Sequence, residues 1–233
     1  MSRGRRRDVE VDDSLRRRIA AEAARGMAAG SDARRAVFRA ARRLAGGWVP
    51  ADRLPDVADV CADVGARLGT APTRGDRLDR IAALAGLLAT VRLDPAVHRA
   101  RDALERALEC FAAVHAERPY DEELLTAALV REVGLAIDRD DPVTAVLGAL
   151  GDLVTPRTRW IVESVAAARA HREGTLGHRA RRRLEAHEDF EAVMLLAEAD
   201  RGGVMHDGAA PTLEEAIAIL RMLDHEEAGG AAD

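Results

Sequence analysis

The chain has 233 residues, enough for one large domain with a sizeable core. All 35 residues counted as Lys or Arg are arginine, and Asn and Gln are absent too. This composition excludes a P-loop lysine, a Schiff-base lysine and an amide side chain in an oxyanion hole. The net charge of −5 comes from interspersed charges of both signs, so no global positive field attracts nucleic acid or an anionic membrane. Cys61 and Cys110 are too far apart to indicate a disulfide framework or a zinc finger.

The N-terminus, residues 1–13, is predicted to be a disordered tail. It combines a cluster of arginines with an acidic stretch that ends at Asp12 and Asp13, and the alternative to a solvated tail is contact with phosphate groups. No apolar segment follows the arginines, so a signal peptide is not expected. No apolar run approaches about 18 residues, the length of a membrane span. These features predict a cytoplasmic protein.

Residues 14–72 are predicted to form an N-terminal helical segment, and the polar break at 69–75 is the expected boundary before the rest of the chain. Ser31 or Asp32 is suited to cap the second helix of the segment. Short amphipathic helices bury little surface on their own, so the segment is expected to pack on the remainder of the protein or on a partner chain. The predicted helices cover residues 14–29, about 32–44 and about 52–69.

Residues 73–226 are predicted to form one helical domain, with a frayed tail at 227–233. No stretch alternates with period two for long enough to form a strand, so the predicted fold class is all-α. Thr212 and Glu215 form a capping box for a last helix that ends near Leu223. The other predicted helices start at Asp76, Asp94, Asp121, Asp141 and Thr155, and a basic helix around 179–183 leads into a stretch that reaches Asp200.

The segment Asp121–Asp138 is predicted to be a single central helix. Its apolar side chains surround the helix axis, which is typical of a buried helix. Arg131 and Glu132 interrupt this pattern on otherwise apolar stripes. Because buried charges are rare unless they are paired, the helix is expected to border a polar site inside the fold.

Several stretches of the domain resemble the HD-domain phosphohydrolase superfamily, and most closely bacterial HD proteins related to the helical tails of tRNA nucleotidyltransferases. The resemblance covers roughly residues 76–223 and is carried by PYDEELLTAAL, AIDRDD, TPRTRWIVE, REGTLG and DFEAVMLLAEADRGG. It implies an HD-domain-like helical bundle with an N-terminal helical extension. Members of the superfamily hold a divalent metal with a histidine, a His-Asp doublet and a distant aspartate, and a metal-bound water hydrolyses phosphoester bonds.

Carried over by position, most of these metal ligands are replaced in this chain. The doublet falls on Arg131-Glu132, the first histidine on Arg106 and the last aspartate on Asp200, at spacings typical of the family. Only Asp200 remains an ordinary ligand, and Glu132 is a longer carboxylate. Further metal-binding histidines of the relatives align with Ser164, Val165 and Arg169.

Arginine cannot ligate a metal, because its guanidinium stays protonated and has no free lone pair. We therefore predict that the chain holds no metal or other cofactor. Arg106 and Arg131 are expected to neutralise Glu132 and Asp200 in a buried network of guanidinium–carboxylate pairs. The alternative for Arg106 is a surface pair with Asp102, which would stabilise the helix by only a few tenths of a kcal/mol.

Three functional hypotheses follow. The first is a catalytically degenerate HD domain kept as a binding, regulatory or scaffold module, with a second copy or another protein as its partner. The second is an HD phosphohydrolase whose altered metal site uses Asp200, Glu132 and His98. The third is an RNA- or nucleotide-binding module that uses the arginine-rich cleft or a basic helix face. That face has no interleaved aromatic residues for base stacking, so a solvated surface is its simpler interpretation. It consists of Arg179, Arg181, Arg182 and Arg183.

Overall fold

The computed structural model describes residues 13–28, 31–45, 49–50, 53–56, 59–60, 77–200 and 210–230. These ranges are mostly helical and contain no strand, only an isolated β-bridge between Arg92 and Asp102. The all-α prediction is confirmed. In chain order the helices are α1 (Asp13–Ala28), α2 (Ala33–Ala45), α3 (Arg77–Gly86), α4 (Ala103–Glu117), α5 (Glu122–Val130), α6 (Gly134–Ile137), α7 (Pro142–Leu150), α8 (Pro156–Arg172), α9 (His178–Glu185), α10 (Phe190–Ala199) and α11 (Leu213–Gly230). Short 3-10 helices at Leu87–Thr90 and Gly151–Leu153 follow α3 and α7.

Helices α1 and α2 pack against each other as a hairpin. Asp32 caps α2, as predicted, because its Oδ1 accepts a hydrogen bond 2.8 Å long from the backbone N–H of Arg35. Two ion pairs tie the hairpin to the segment after α6: Arg34 binds Asp138, and Arg35 lies 2.7 Å from Asp140. The α1–α2 hairpin of the N-terminal segment therefore packs on the rest of the described chain, which is one of the two arrangements expected from the sequence.

Some predicted features lie outside the described residues. These are residues 1–12 of the predicted tail and the predicted boundary at 69–75. Asp13, the last residue of the predicted tail, begins α1. Cys61 and most of the third predicted helix also lie outside the described residues. Within the range predicted for that helix, only residues 59–60 are described as α-helical.

Helix α4 starts later than the sequence pattern predicts. A helix from Asp94 would have placed Val97 on its core face, but Val97 is 73% exposed. Asp94 forms only a turn, and the helix begins after Asp102, whose side chain accepts a hydrogen bond 3.0 Å long from the backbone N–H of Glu105. A capping side chain of this kind satisfies a first-turn N–H that has no partner within the helix, which fixes the start of α4.

Helix α5 is the buried central helix that its composition predicts. The residues from Leu124 to Val130 are at most 1% exposed, and α5 packs against α4, α8 and α11. Arg157 helps to hold its N-terminus, because its guanidinium lies 2.6 Å from Asp121 and 2.7 Å from Asp189, just before α10. This arginine joins the start of α5 to the starts of α8 and α10, the elements that carry the site described below.

The prediction of one continuous helix over Asp121–Asp138 is wrong. Helix α5 ends at Val130, residues 131–133 form a turn, and α6 begins at Gly134. A Cβ at Gly134 would lie only 1.8 Å from the backbone oxygen of Pro142, so a glycine is required where α6 meets α7. At the turn, backbone hydrogen bonds connect residues three apart, as in a 3-10 helix. One of them is the bond of 2.9 Å from the Val133 N–H to the Val130 carbonyl. Arg131 and Glu132 thus lie at a bend and not within a regular helix.

The remaining helices differ from the predictions mainly at their ends. The basic helix α9 stops at Glu185 and is separate from α10, because residues 186–189 intervene. The capping box before α11 is confirmed, with hydrogen bonds of 2.7 and 3.2 Å between Thr212 and Glu215 in the two directions. Helix α11 continues to Gly230 and so includes part of the tail predicted to fray at 227–233. No helix in the described part of the chain is long and apolar enough to cross a membrane.

Candidate functional site

Four residues singled out from the sequence meet in one buried cluster. Arg106 comes from α4, Arg131 and Glu132 from the bend after α5, and Asp200 from the C-terminal end of α10. Arg131 binds the Asp200 carboxylate, and Arg106 Nη2 lies 2.8 Å from Asp200 Oδ1. The predicted network is therefore present. The alternative pair of Arg106 with Asp102 is not formed, since Asp102 caps α4 and lies 3.5 Å from Arg92.

A third arginine, Arg169 on α8, completes the cluster. Its guanidinium binds Asp200 Oδ2 and lies 3.5 Å from Glu132 Oε1. By the resemblance Arg169 aligns with a further metal-binding histidine, but it was not predicted to belong to the network. The signal was available, because the resemblance to the HD superfamily places Arg106, Arg131 and Arg169 all at histidine positions.

The side chains of this cluster differ in burial. The side chains of Arg131 and Asp200 are 2% and 4% exposed, whereas those of Arg106 and Arg169 are 21% and 37% exposed. Burial alone would raise the pKa of Asp200, but the positive charges of Arg131, Arg169 and Arg106 outweigh it and lower the pKa below its ordinary value. Burial also opposes the charge on Arg131, yet Glu132 and Asp200 help to hold its pKa above the ordinary value. Asp200 and Arg131 are therefore both charged at neutral pH.

The two carboxylates are not equally satisfied. Asp200 accepts hydrogen bonds from Arg106 and Arg131 and forms an ion pair with Arg169, whereas the closest guanidinium nitrogens lie 3.5, 3.8 and 4.0 Å from Glu132 Oε1. Glu132 Oε2 is buried and has no hydrogen-bond partner. The cluster therefore engages both oxygens of Asp200 and leaves Glu132 loosely held.

Cys110, on α4, lies buried beside this cluster and feels the charges of all four predicted site residues. Burial raises the pKa of its thiol to about 11. At neutral pH the sulfur is therefore a protonated thiol, which is neither a nucleophile nor a metal ligand.

The residues of this cluster do not fit the divalent metal of the HD superfamily. Both carboxylates face guanidinium groups, which cannot ligate and which repel a cation. Within the described ranges no group of three or more His, Cys, Asp or Glu side chains is arranged to hold a metal. His98, the alternative ligand, lies in the irregular stretch before α4 and completes no such group with Glu132 and Asp200.

The basic residues predicted to contact nucleic acid divide into two sets. Arg179, Arg182 and Arg183 line an open depression of about 390 Å³ together with His178 and Ala186. Arg181 is not among these lining residues, and its Nε lies 2.7 Å from Glu185. The sequence run therefore contributes three arginines to one surface, not four.

No protein-family model matches this chain, and no curated protein matches it significantly. The function of the cluster is therefore inferred from its own residues.

Proposed function

We propose that this chain is a catalytically degenerate HD-domain protein, a binding or regulatory module in which arginines have replaced the metal. The observation that carries the proposal is the saturation of Asp200 by Arg106, Arg131 and Arg169. Asp200 is the one position that keeps an ordinary metal ligand of the superfamily. Its lone pairs are engaged by guanidinium groups that are fixed in place and always charged.

This replacement keeps the structural role of a metal and removes its chemical role. A divalent ion neutralises clustered carboxylates and also activates a bound water by lowering its pKa. Guanidinium groups neutralise the carboxylates, but they have no lone pair and no vacant orbital with which to coordinate water. The proposed module therefore retains an ordered, charge-compensated interior without a metal-activated nucleophile.

Metal analysis of the purified protein tests the proposal. After equilibration with Mg, Mn, Fe, Ni and Zn salts and removal of free ions, we expect less than about 0.1 ion per chain, because the ligand set is occupied. The melting temperature should not rise with added metal. One bound ion per chain, together with metal-dependent phosphodiester hydrolysis, would instead establish the altered-site enzyme that uses Asp200, Glu132 and His98.

A variant with restored ligand types provides the matched control. It combines Arg106→His, Arg131→His and Arg169→His with Glu132→Asp, which leaves its two carboxylates without guanidinium partners. If the positional correspondence is right, this variant should bind a divalent ion and be stabilised by it, since binding to the folded state raises stability. A folded variant that gains no metal affinity would show that the correspondence with the superfamily is wrong.

A further inference from the structure

The exposed face of α9 differs from the rest of the arginine-rich surface. Arg179, Arg182 and Arg183 are exposed, and no carboxylate in the described part of the chain lies within ion-pair distance of them. Glu185, the acidic residue of α9, is already engaged by Arg181 at 2.7 Å and by His171 at 3.0 Å. Three like charges therefore face one depression without a counter-charge from the fold.

The helix geometry brings the three side chains together. Arg179 and Arg183 are separated by about 6 Å along the helix axis, and Arg182 lies on the same side because residues three and four apart share a face. The positive charge of the depression therefore comes from the three guanidinium groups along one side of α9.

We propose that this depression binds a short polyphosphate anion, either free or carried by a nucleotide. The depression of about 390 Å³ is open and lined by α9 together with Ala186, so a bound anion would remain partly in solvent and be held mainly by charge. Guanidinium groups pair with phosphate oxygens in bidentate geometry, and three of them match a ligand with several adjacent negative charges. The lining contains no Phe, Tyr or Trp to stack a base, so recognition rests on the phosphates.

This site is independent of the buried cluster and of the proposed function. It is built from one helix, its arginines are exposed, and none of them contacts Glu132 or Asp200. Removing them should therefore leave the folded protein and its metal content unchanged, and a failure of either proposal can be recognised separately.

Calorimetric titration of the full chain at low salt tests the inference, with sodium tripolyphosphate, ATP and a single-stranded RNA as separate probes. We expect saturable binding of tripolyphosphate that weakens as salt is added. Arg182→Ser with Arg183→Ser should weaken it by about tenfold or more, since hydrogen bonds between charged groups are lost. Arg181→Ser, on the same helix but outside the depression, should change it by less than about twofold.

The three probes distinguish the source of the phosphate groups. Equal affinity for tripolyphosphate and ATP would identify the phosphate chain as the recognised group. A tenfold preference for ATP would show that the recognised phosphate chain is carried by a nucleotide. The proposal is overturned if tripolyphosphate and ATP both fail to bind, if the double variant binds them as well as the natural protein does, or if only RNA binds. Circular dichroism of each variant ensures that a loss of binding is not a loss of folding.

Discussion

The protein contains two arginine clusters in opposite environments. In the interior, Arg106, Arg131 and Arg169 are held by two carboxylates of the chain itself, and on α9 three arginines face solvent without a counter-charge. The interior cluster is assembled from α4, the bend after α5, α8 and the C-terminal end of α10, whereas the surface cluster lies within a single helix. The same side chain is thus paired with internal carboxylates in one place and faces solvent without a counter-charge in the other.

Asp200→Ala should give the largest effect, because it removes the carboxylate shared by all three interior arginines. Arg131, which is 2% exposed, would then be a buried cation with only the loosely held Glu132 nearby. Breaking a buried pair from one side costs about 3–5 kcal/mol, a large part of the roughly 5–15 kcal/mol that stabilises a typical domain. Urea denaturation would measure the loss.

Two further variants determine whether this loss comes from the buried charge. Adding Arg131→Met to Asp200→Ala should recover part of the stability, since an apolar side chain replaces the orphaned cation. Adding Arg106→Ala should recover little, because Arg106 is 21% exposed and can be solvated. Asp140→Ala, which removes the partner of the exposed Arg35, serves as the control and should cost no more than about 1 kcal/mol. Equal effects of Asp200→Ala and Asp140→Ala would contradict the buried network.

The thiol beside the interior cluster should make stability fall at alkaline pH. Because burial raises the pKa of Cys110 from 9.0 to about 11, the unfolded chain loses its proton first as the pH rises. This contribution of about 3 kcal/mol is fully present below pH 9 and is lost as the pH rises through about 11. Comparing the pH profiles of Cys61→Ala and of Cys61→Ala with Cys110→Ala would isolate it. Parallel profiles between pH 9 and 11 would show that Cys110 does not titrate differently in the folded state.

Arg183→Ala should give the smallest effect on stability. The side chain is exposed and unpaired, so its removal should change the free energy of unfolding by less than about 0.5 kcal/mol. We expect a small increase in stability, because the substitution removes one of three like charges. A loss above 1 kcal/mol would mean that Arg183 has a structural role, and the contrast between the two clusters would no longer hold.

Sequence reasoning succeeded where the determining interactions are local. The caps at Asp32, Thr155 and Thr212 each involve a backbone N–H three residues ahead, so residue type and spacing predict them. The all-α class and the buried α5 follow similarly from periodicity. The apolar pattern also identified interior charges. Arg131 and Glu132 interrupt apolar stripes of the central segment, and Asp200 continues an apolar stripe of α10.

Prediction from the sequence failed where a contact with a distant residue determines the local structure. The bend after Val130 depends on the close approach of Pro142 to Gly134, which no pattern within residues 121–138 reveals. The late start of α4 depends on the Asp102 cap, whereas Asp94-Pro95 offers an equally plausible start signal. Arg169 was left out of the cluster because α8 has polar residues on several sides and does not indicate which of its arginines faces inward.

The ion pairs between the α1–α2 hairpin and the segment after α6 have a consequence for cooperativity. Arg34 and Arg35 bind Asp138 and Asp140, only a few residues after the bend that carries Arg131 and Glu132. Detaching the hairpin would free the segment that orients these two charged residues, so the hairpin and the interior cluster should lose structure together. We expect a single calorimetric transition whose measured enthalpy equals its van't Hoff enthalpy. The hairpin would then be an integral part of the folding unit.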